Sequence, residues 1–437
     1  MKARAILLMV KLIRRMLLLM KRGGSLPGTI ALKLDPAFLT RFAYPDTVIM
    51  VTGTNGKTTT SNLIYETIAA AGKKVIANRK GDNLKAGIAT LIAAHASWKM
   101  QVKAEVIVME CDELNVPKVM QDVPVNIFCI NNFFRDQLDR AGEMETIIRR
   151  MSGALAHYKG ILVLNGDDPN VVRLQDDAPY ADVRFFGIAE TSRSSEKSDE
   201  ASEGKFCPRC ARPLTYAYYQ YSHIGRFHCE QCGFGDVSYR VYGENCDFAD
   251  RSFMVGATRY HAPQNALYAM YNAVALLGVC ESADISFAYA KAVLDHFELK
   301  DGRSEAFLIG GKRCMLNLVK NPTGANETMK FIMEDPSKKI IVIILNDNDQ
   351  DGCDVSWIWD AHFERLCDHS VTRIVCSGKR AYDMALRFHY GDFAGELTVI
   401  EDLEAALAEV RKTTDRPYVI ATYTALQPAR SVLRRMT

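Results

Sequence analysis

Short apolar runs alternate with stretches of helical periodicity along most of the chain. The first runs predict strands at residues 47–51, 74–77, 105–110, 125–131 and 160–164. After helices predicted near 264–278 and 284–298, further runs predict strands at 313–318, 339–345, 372–376 and 416–420. Parallel strands joined by helices produce such an alternation. The pattern therefore predicts two α/β units, of which the second is smaller.

Breaks in this pattern suggest the domain boundaries. Residues 190–204 are polar and poor in large apolar side chains, which is typical of a flexible surface linker. A cysteine-rich element follows them, and the second block of strands begins after Asp301-Gly302-Arg303. We therefore expect an N-terminal helix and lead-in at 1–45, a central domain at 46–300 with an insert at 206–233, and a C-terminal domain at 301–437.

The N-terminus combines apolar and basic residues. Lys11, Arg14 and Arg15 interrupt the apolar stretch 5–20, so no run reaches the roughly 18 to 20 residues of a membrane-spanning helix. No small-residue cleavage site follows, which argues against a signal peptide. An amphipathic helix remains. We favour one that packs its apolar side on the body of the protein, and the alternative is a helix on an anionic membrane surface.

Composition narrows the class of protein. The 437 residues are 48% hydrophobic and 24% charged, which is ordinary for a globular protein and excludes wholesale disorder. The net charge is only +2, so nothing indicates a nucleic-acid partner, which would require an excess of basic residues. Eight of the twelve cysteines are scattered, several of them in apolar runs, as expected in a reducing compartment such as the cytoplasm.

A candidate phosphate loop, GTNGKT at residues 53–58, comes directly after a predicted strand and opens a helix. The glycines let backbone N–H groups turn towards phosphate oxygens, and the helix N-terminus adds partial positive charge. Lys57 can reach the β- and γ-phosphates, and the Thr58 hydroxyl can hold Mg²⁺. A helix N-terminus with an incidental Gly-Lys-Thr is the alternative. The predicted nucleotide-binding residues are Gly53, Thr54, Asn55, Gly56, Lys57, Thr58 and Thr59.

The segment TGTNGKTTT resembles the ATP loop of the Mur ligase superfamily, and other motifs of that family follow in the expected order. Glu110 is similar to the family's acidic residue for Mg²⁺. Residues 131–140, NNFFRDQLDR, resemble its Asn-x-x-x-Asp-His-x-Asp-Arg segment, with Gln137 in the place of the His. Residues 164–169, LNGDDP, match its Leu-Asn-x-Asp-Asp-Pro signature.

This resemblance implies an ATP-dependent ligase that activates a carboxylate as an acyl phosphate. Lys57 and Glu110 would be catalytic, and Mg²⁺ would lie between Thr58 and Glu110. Asn265 is similar to an Asn that approaches the nucleotide, with Asn272 as a competing alignment, and Arg303 resembles the hinge Arg that meets ATP. The implied fold is α/β, with a Mur ligase-like P-loop central domain and a smaller Rossmann-like C-terminal domain.

Two CxxC pairs form a separate motif, with eighteen residues between Cys210 and Cys229. Two CxxC turns at this separation fit the four-thiolate tetrahedral site of a zinc ribbon. Closed sites of this kind contribute folding energy rather than chemistry. The neighbouring aromatic residues could stack on bases, but we favour packing of the small ribbon. The predicted structural Zn²⁺ ligands are Cys207, Cys210, Cys229 and Cys232.

The ribbon and the C-terminal motifs resemble one branch of the superfamily, which amidates peptidoglycan precursors. The Asp-x-x-His-Asn-Pro stretch of other Mur ligases reads NLVKNP at residues 317–322, without the acid or the His. The resemblance implies a carbon–nitrogen ligase that converts the D-glutamate α-carboxylate of lipid II to D-isoglutamine. Its partner would be a GatD-type glutaminase, with which it forms a heterodimer. Asp354 would complete the Cys-His pair of that glutaminase. Asp347, Asp349 and Asp351 are read as turn or solvated residues.

Three other functions remain as alternatives. They are a free-standing Mur-type amino-acid ligase, a nucleic-acid-dependent ATPase with a zinc ribbon, and a non-catalytic scaffold for an amidotransferase. The missing acid and His near Lys320 argue against the first, the near-neutral charge against the second, and the intact Gly-Lys-Thr and Glu110 against the third. We expect a cytoplasmic enzyme, with a peripheral position at the inner face of the membrane as an open alternative.

Overall fold

The computed structural model describes residues 2–20, 24–78, 82–134, 144–198, 204–297 and 304–437. The described residues up to Phe297 form one compact unit, and those from Ser304 onwards form a second. The proposed hinge residue Arg303 and residues 135–143 of the NNFFRDQLDR segment lie outside the described residues.

The first unit contains eleven described strands. They are β1 Thr47–Thr52, β2 Val75–Ala77, β3 Val106–Glu110, β4 Ile127–Ile130, β5 Ile161–Asn165, β6 Asp182–Ile188, β7 Thr215–Tyr221, β8 Ile224–His228, β9 Tyr239–Asp247, β10 Ser252–Val255 and β11 Thr258–His261. Strands β7 and β8 form a separate antiparallel hairpin, and the other nine form one sheet in the order β11-β10-β9-β6-β5-β4-β1-β3-β2.

The described helices of this unit flank the sheet and the lead-in. They are α1 Lys2–Leu19, α2 Leu26–Leu34, α3 Lys57–Ala70, α4 Lys85–His95, α5 Val116–Met120, α6 Met144–Leu155, α7 Pro169–Val172, α8 Leu267–Ser282 and α9 Phe287–His296. Helix α8 is buried along most of its length and packs with α3 in the core. An apolar helix without a polar face is expected where neighbours surround it.

Sheet order positions the candidate site. Strands β1 to β6 and β9 run parallel, and β1 lies between β3 and β4. The carboxyl ends of parallel strands meet at one edge of a sheet, and open α/β sheets bind ligands there. Gly53, Cys111 and Asn131, which follow the central three strands, are therefore brought to the same edge.

Helix α1 packs on α2 and α4, which confirms the expected packing on the body of the unit. Only Ile6, Leu7 and Val10 of this helix are buried, however. A stripe of large apolar side chains stays exposed, formed by Leu8, Leu12, Met16 and Leu19. Among the described residues, none of the helices is both long and apolar enough to cross a bilayer.

The polar segment before the ribbon is held more firmly than the sequence predicts. The hydroxyls of Thr191 and Ser194 donate to Gln220 Oε1 at 3.3 and 2.9 Å. The backbone of Ser195 pairs with that of Tyr219 on β7. The described residues 190–198 lie at the surface, as expected of a linker, but three of them are hydrogen-bonded to the ribbon hairpin.

The second unit is a six-stranded α/β sandwich. Its strands are β12 Ser304–Ile309, β13 Lys312–Leu318, β14 Lys339–Ile344, β15 Val371–Ser377, β16 Glu396–Val399 and β17 Arg416–Ala421, in the sheet order β12-β13-β17-β14-β15-β16. Only β12 is antiparallel to its neighbour among these pairs. Its helices are α10 Pro322–Met333, α11 Trp357–Asp360, α12 Ala381–His389, α13 Leu403–Lys412 and α14 Tyr423–Met436.

Two apolar clusters show that helices cover both faces of this second sheet. One cluster contains residues of α10, α11 and α12, and the other contains residues of α13 and α14. Strand β14, KIIVII, is buried at all six positions, as expected for a central strand covered on both sides. The unit is therefore a doubly wound sheet, in agreement with the Rossmann-like fold predicted for it.

Candidate active site

The phosphate loop connects β1 to α3 in a conformation that needs its glycines. Gly53 and Gly56 have φ angles of +134° and +82°, which L side chains rarely adopt. A Cβ on Gly56 would lie 2.1 Å from Oδ1 of Asn272 on α8. Backbone freedom and close packing therefore both require glycine at this position.

Lys57 begins α3 and turns its ammonium group back over the loop. Nζ donates to the carbonyl of Gly53 at 2.9 Å and lies 3.3 Å from Oε1 of Glu113. Both charged side chains are about 90% buried. Buried charges of opposite sign stabilise one another when they are paired and hydrogen-bonded. Glu113 was not singled out from the sequence, although it lies three residues after Glu110 in the segment MECDEL.

Glu110 ends β3 as a buried acid with spare coordinating capacity. Its Oε1 accepts from Asn83 Nδ2 at 3.2 Å, and its backbone is hydrogen-bonded to the side chain of Asn78. Its Oε2 is buried and has no hydrogen-bond partner among the described residues. An unpartnered buried carboxylate oxygen is costly unless a cation satisfies it. The side chain therefore fits a Mg²⁺ ligand beside the phosphate loop.

Two asparagines after β4 hold the loop in place. The side chain of Asn132 brackets Asn55, accepting from its N–H at 2.9 Å and donating to its carbonyl at 3.1 Å. Asn131 Nδ2 donates to Thr60 Oγ1 at 2.9 Å. These residues open the NNFFRDQLDR segment that was matched to the Mur ligase pattern. The described part of that segment therefore orders the loop.

The structure separates the two competing asparagines. Asn272 Oδ1 accepts from Thr60 Oγ1 at 3.3 Å and lies over Gly56, so it contacts the phosphate-loop helix. Asn265 instead has its Oδ1 3.4 Å from the guanidinium of Arg193. Asn272 is therefore placed at the loop, and the assignment of Asn265 to the nucleotide stays a prediction.

The LNGDDP motif is a junction between elements. Asp168 accepts from the backbone N–H groups of Phe133 and Asn170, both at 2.8 Å. Asp167 accepts from Tyr239, from Tyr271 Oη at 2.7 Å and from a backbone N–H of β6. Burial raises the pKa of Asp167 to about 6, against the opposing effect of these donors. The motif thus connects β5, β6, β9 and α8 around the site.

The four cysteines of the ribbon come together around one point. Their sulfurs all lie within 4.8 Å of one another, and tetrahedral Zn²⁺ with Zn–S bonds of about 2.3 Å separates its sulfurs by about 3.8 Å. Backbone N–H groups of Arg212, Gln231 and Phe234 donate to three of the sulfurs. Hydrogen bonds from N–H groups to sulfur stabilise the thiolate form of cysteine relative to the thiol. The donor set and its spacing therefore fit a structural zinc ion.

Loss of this metal is expected to weaken the unit. We expect about one zinc ion per chain, and we expect Cys229→Ser to lose it. The Tm should fall by on the order of 10 °C, since each kcal/mol lost shifts the Tm of a domain of this size by about 2–4 °C. Metal analysis and thermal unfolding test this, with Cys246→Ser on β9 as the control. Full zinc retention in Cys229→Ser would contradict the assignment.

Comparison with known proteins places the chain in a family. Residues 318–426 match the MurT ligase C-terminal family, and residues 51–228 match the Mur ligase middle domain. The chain is 34% identical, over 95% of its length and 94% of the relative's, to the lipid II isoglutaminyl synthase subunit MurT of Staphylococcus aureus (strain COL). The chain belongs to the MurT family. The same-named subunit of Streptococcus pneumoniae is 32% identical over 94% of this chain and 92% of its own length.

Solved structures agree with the fold expected of a MurT protein. The pseudomurein peptide ligase type C of Methanothermus fervidus superimposes with a TM-score of 0.72 at 18% identity, covering 92% of this chain and 81% of its own. The MurF ligase of Thermotoga maritima in complex with ADP has a TM-score of 0.60 at 16% identity, covering 94% and 84%. The Mur ligase-like fold and the resemblance found in the sequence are therefore confirmed.

The MurT C-terminal domain contains the acidic loop NDNDQDGCD. Asp354 is half-buried, and its Oδ1 accepts from the backbone N–H of Ser356 at 2.8 Å. Asp351 is 4% exposed and accepts from the Thr424 N–H at 2.7 Å and the Asn348 N–H at 3.3 Å. Asp351 is thus a buried turn residue rather than a solvated one. Sequence reasoning missed its role because Thr424 lies far away along the chain.

Proposed function

We propose that the protein is the ligase subunit of a lipid II isoglutaminyl synthase. It would use ATP to amidate the α-carboxylate of D-glutamate in the lipid II stem peptide, which gives D-isoglutamine. A GatD-type glutaminase would supply the ammonia. The observation that carries this proposal is the 34% identity over 95% of the chain to a subunit of that name. The phosphate loop, the buried Lys57 and the partnerless oxygen of Glu110 support it.

The residues of the site suit activation of a carboxylate. Backbone N–H groups of residues 53–58 and the N-terminus of α3 would hold the phosphates of ATP. Lys57 would exchange its contacts with Gly53 and Glu113 for the transferring phosphoryl group. Mg²⁺, held by Thr58 and Glu110, would neutralise charge between the β- and γ-phosphates. The substrate carboxylate would attack the γ-phosphorus and form an acyl phosphate, with ADP as the leaving group. Ammonia would then attack the acyl carbon, lose a proton and displace phosphate, which is a better leaving group than hydroxide.

A reconstituted pair tests the proposed function. The protein is co-purified with the glutaminase of the same organism and incubated with lipid II, glutamine and ATP. We expect the muropeptide mass to change by the replacement of a carboxyl OH with NH₂, and we expect ATP hydrolysis to accompany the change. An unchanged mass would refute the proposal. If D-glutamate or another amino acid were attached instead, the chain would be an amino-acid ligase.

We also propose that the protein lies at the inner face of the membrane, where a lipid-linked substrate is found. Residues 2–34 contain eight basic side chains and no acidic one, whereas the whole chain has a net charge of +2. The remainder of the chain is therefore net acidic. The exposed stripe of α1 lies among these basic residues. An apolar face flanked by cations is the arrangement that binds anionic lipid surfaces.

Vesicle binding tests the exposed stripe. We expect the protein to sediment with phosphatidylglycerol vesicles and not with phosphatidylcholine vesicles. Replacement of Leu8, Leu12 and Met16 by serine should weaken binding by at least about tenfold, because these apolar side chains would no longer enter the bilayer interface. The control is Leu386→Ser, a change at an exposed leucine of the second unit. Equal binding of the triple variant and the wild type would contradict this.

A further inference from the structure

The turn of the ribbon hairpin is buried, although the ribbon itself lies outside the main sheet. We call the four residues Tyr221, Ser222, His223 and Ile224, between and at the ends of β7 and β8, the hairpin tip. All four residues are 7% exposed or less. Ser222 has a φ of +52°, an uncommon conformation for serine. A tip that is buried and conformationally constrained indicates a specific docking contact rather than a free loop.

His223 is the polar centre of this contact. Its Nε2 lies 3.3 Å from Oδ1 of Asp168 and 3.4 Å from Nδ2 of Asn170. Its ring packs against Phe134 with the centroids 4.9 Å apart. Tyr221 stacks on the same ring of Phe134 at 5.9 Å. Two aromatic rings of the hairpin tip therefore pack against the ring of Phe134.

Phe134 in turn holds the phosphate loop. Its N–H donates to Thr54 Oγ1 at 3.0 Å, and that hydroxyl lies 3.3 Å from the carbonyl of Phe134. Asp168, the partner of His223, also accepts from the N–H of Phe133 at 2.8 Å. Every group along this path is buried. A continuous chain of short contacts therefore runs from the hairpin tip to the second residue of the loop.

We propose that the ribbon positions the phosphate loop through its hairpin tip, and that His223 is the positioning residue. The proposal rests on the proposed function, since it assumes that the loop binds ATP. The ribbon would then do more than add folding energy to the unit. Displacement of the tip would release Phe134 and with it Thr54. By linkage, a nucleotide on the loop would also stabilise the docked ribbon.

Titration of the zinc-loaded, full-length protein with Mg-ADP tests the proposal. We expect His223→Ala to weaken Mg-ADP binding by roughly three- to tenfold, the size of effect seen when one contact of a coupled network is removed. In the complex, the KM for ATP should rise by a similar factor while kcat changes less. Zinc content should stay at the wild-type level. His223→Gln should bind Mg-ADP like the wild type, because the glutamine amide can donate to Asp168 and fills the space of the imidazole.

Matched variants separate this role from general stability. Tyr221→Leu removes the stacking on Phe134 without adding a polar group, and it should weaken binding in the same way if His223→Ala does not fold. His228→Ala changes the same residue type on β8, where the imidazole pairs with Glu230 at the surface. It should leave Mg-ADP binding unchanged. Unchanged binding in zinc-loaded His223→Ala, or equal weakening in His228→Ala, would overturn the proposal. A wild type that does not bind Mg-ADP would overturn the proposed function as well.

Discussion

Replacement of Lys57 by alanine is expected to lower the amidation rate by at least about 10³-fold, because the transferring phosphoryl group loses a buried positive charge. Nζ of Lys57 already lies within the loop, 2.9 Å from the carbonyl of Gly53. Rates are measured as amidated lipid II and as ATP turnover in the complex with the glutaminase.

The stability of this variant must be separated from its chemistry. Lys57→Ala leaves Glu113 buried without its ion pair, and such a charge is costly. A double variant with Glu113→Gln removes that charge and should recover the Tm but not the activity. Lys73→Ala, at an exposed position just after α3, is the matched control. A Lys57→Ala protein that amidates at the wild-type rate would show that the loop is not the catalytic site.

We propose that Asp354 completes the Cys-His pair of the glutaminase partner, as the family resemblance implies. Replacement of Asp354 by asparagine is then expected to lower glutamine-driven amidation by about 10²- to 10⁴-fold, since the third member of a catalytic triad orients the histidine and stabilises its charged form. Asparagine can keep the hydrogen bond from the Ser356 N–H, so the turn should persist. Ammonium chloride supplied directly should restore amidation, because in this proposed role Asp354 serves only the release of ammonia. Glutaminase and ligase rates are therefore measured separately.

The same loop offers a control for this experiment. Asp349 is exposed, and Asp349→Asn should change neither activity. An equal fall in glutamine-driven and ammonium-driven amidation by Asp354→Asn would show that Asp354 serves the ligase or its fold rather than the partner. Unchanged glutaminase activity would remove Asp354 from the catalytic assignment.

The central strands of both sheets could be predicted from the sequence because they are buried on both faces. Runs such as VIVME and KIIVII are apolar at nearly every position, and this signal is local. Strands β6 to β12 and β16 were not predicted from the sequence. Of these, β10, β11 and β16 have only four residues each, with partly exposed side chains. A short, half-polar strand cannot be distinguished from a loop by its pattern alone.

The candidate site was predictable where its residues are contiguous. The loop at 53–58 and the acid Glu110 carry recognisable spacing. Glu113 does not, since its approach to Lys57 depends on how the segment after β3 packs beside α3. The sequence offered both Asn265 and Asn272, and only the packing of α8 against α3 places Asn272 at the loop. The role of His223 likewise requires the hairpin tip to fold onto Asp168. Contacts between segments far apart in sequence leave no local signal.

The position of the ribbon between two strands of the sheet determines which part of the sheet would unfold first if the proposed zinc ion were lost. Strands β6 and β9 are parallel neighbours, so the residues between Ile188 and Tyr239 form a crossover connection of the kind that a helix makes in most α/β folds. Here the hairpin that accompanies the four-cysteine cluster lies in that crossover. Without zinc, we therefore expect strands β9 to β11 to unfold before the central strands. Amide hydrogen exchange should then become faster in β9 to β11 first.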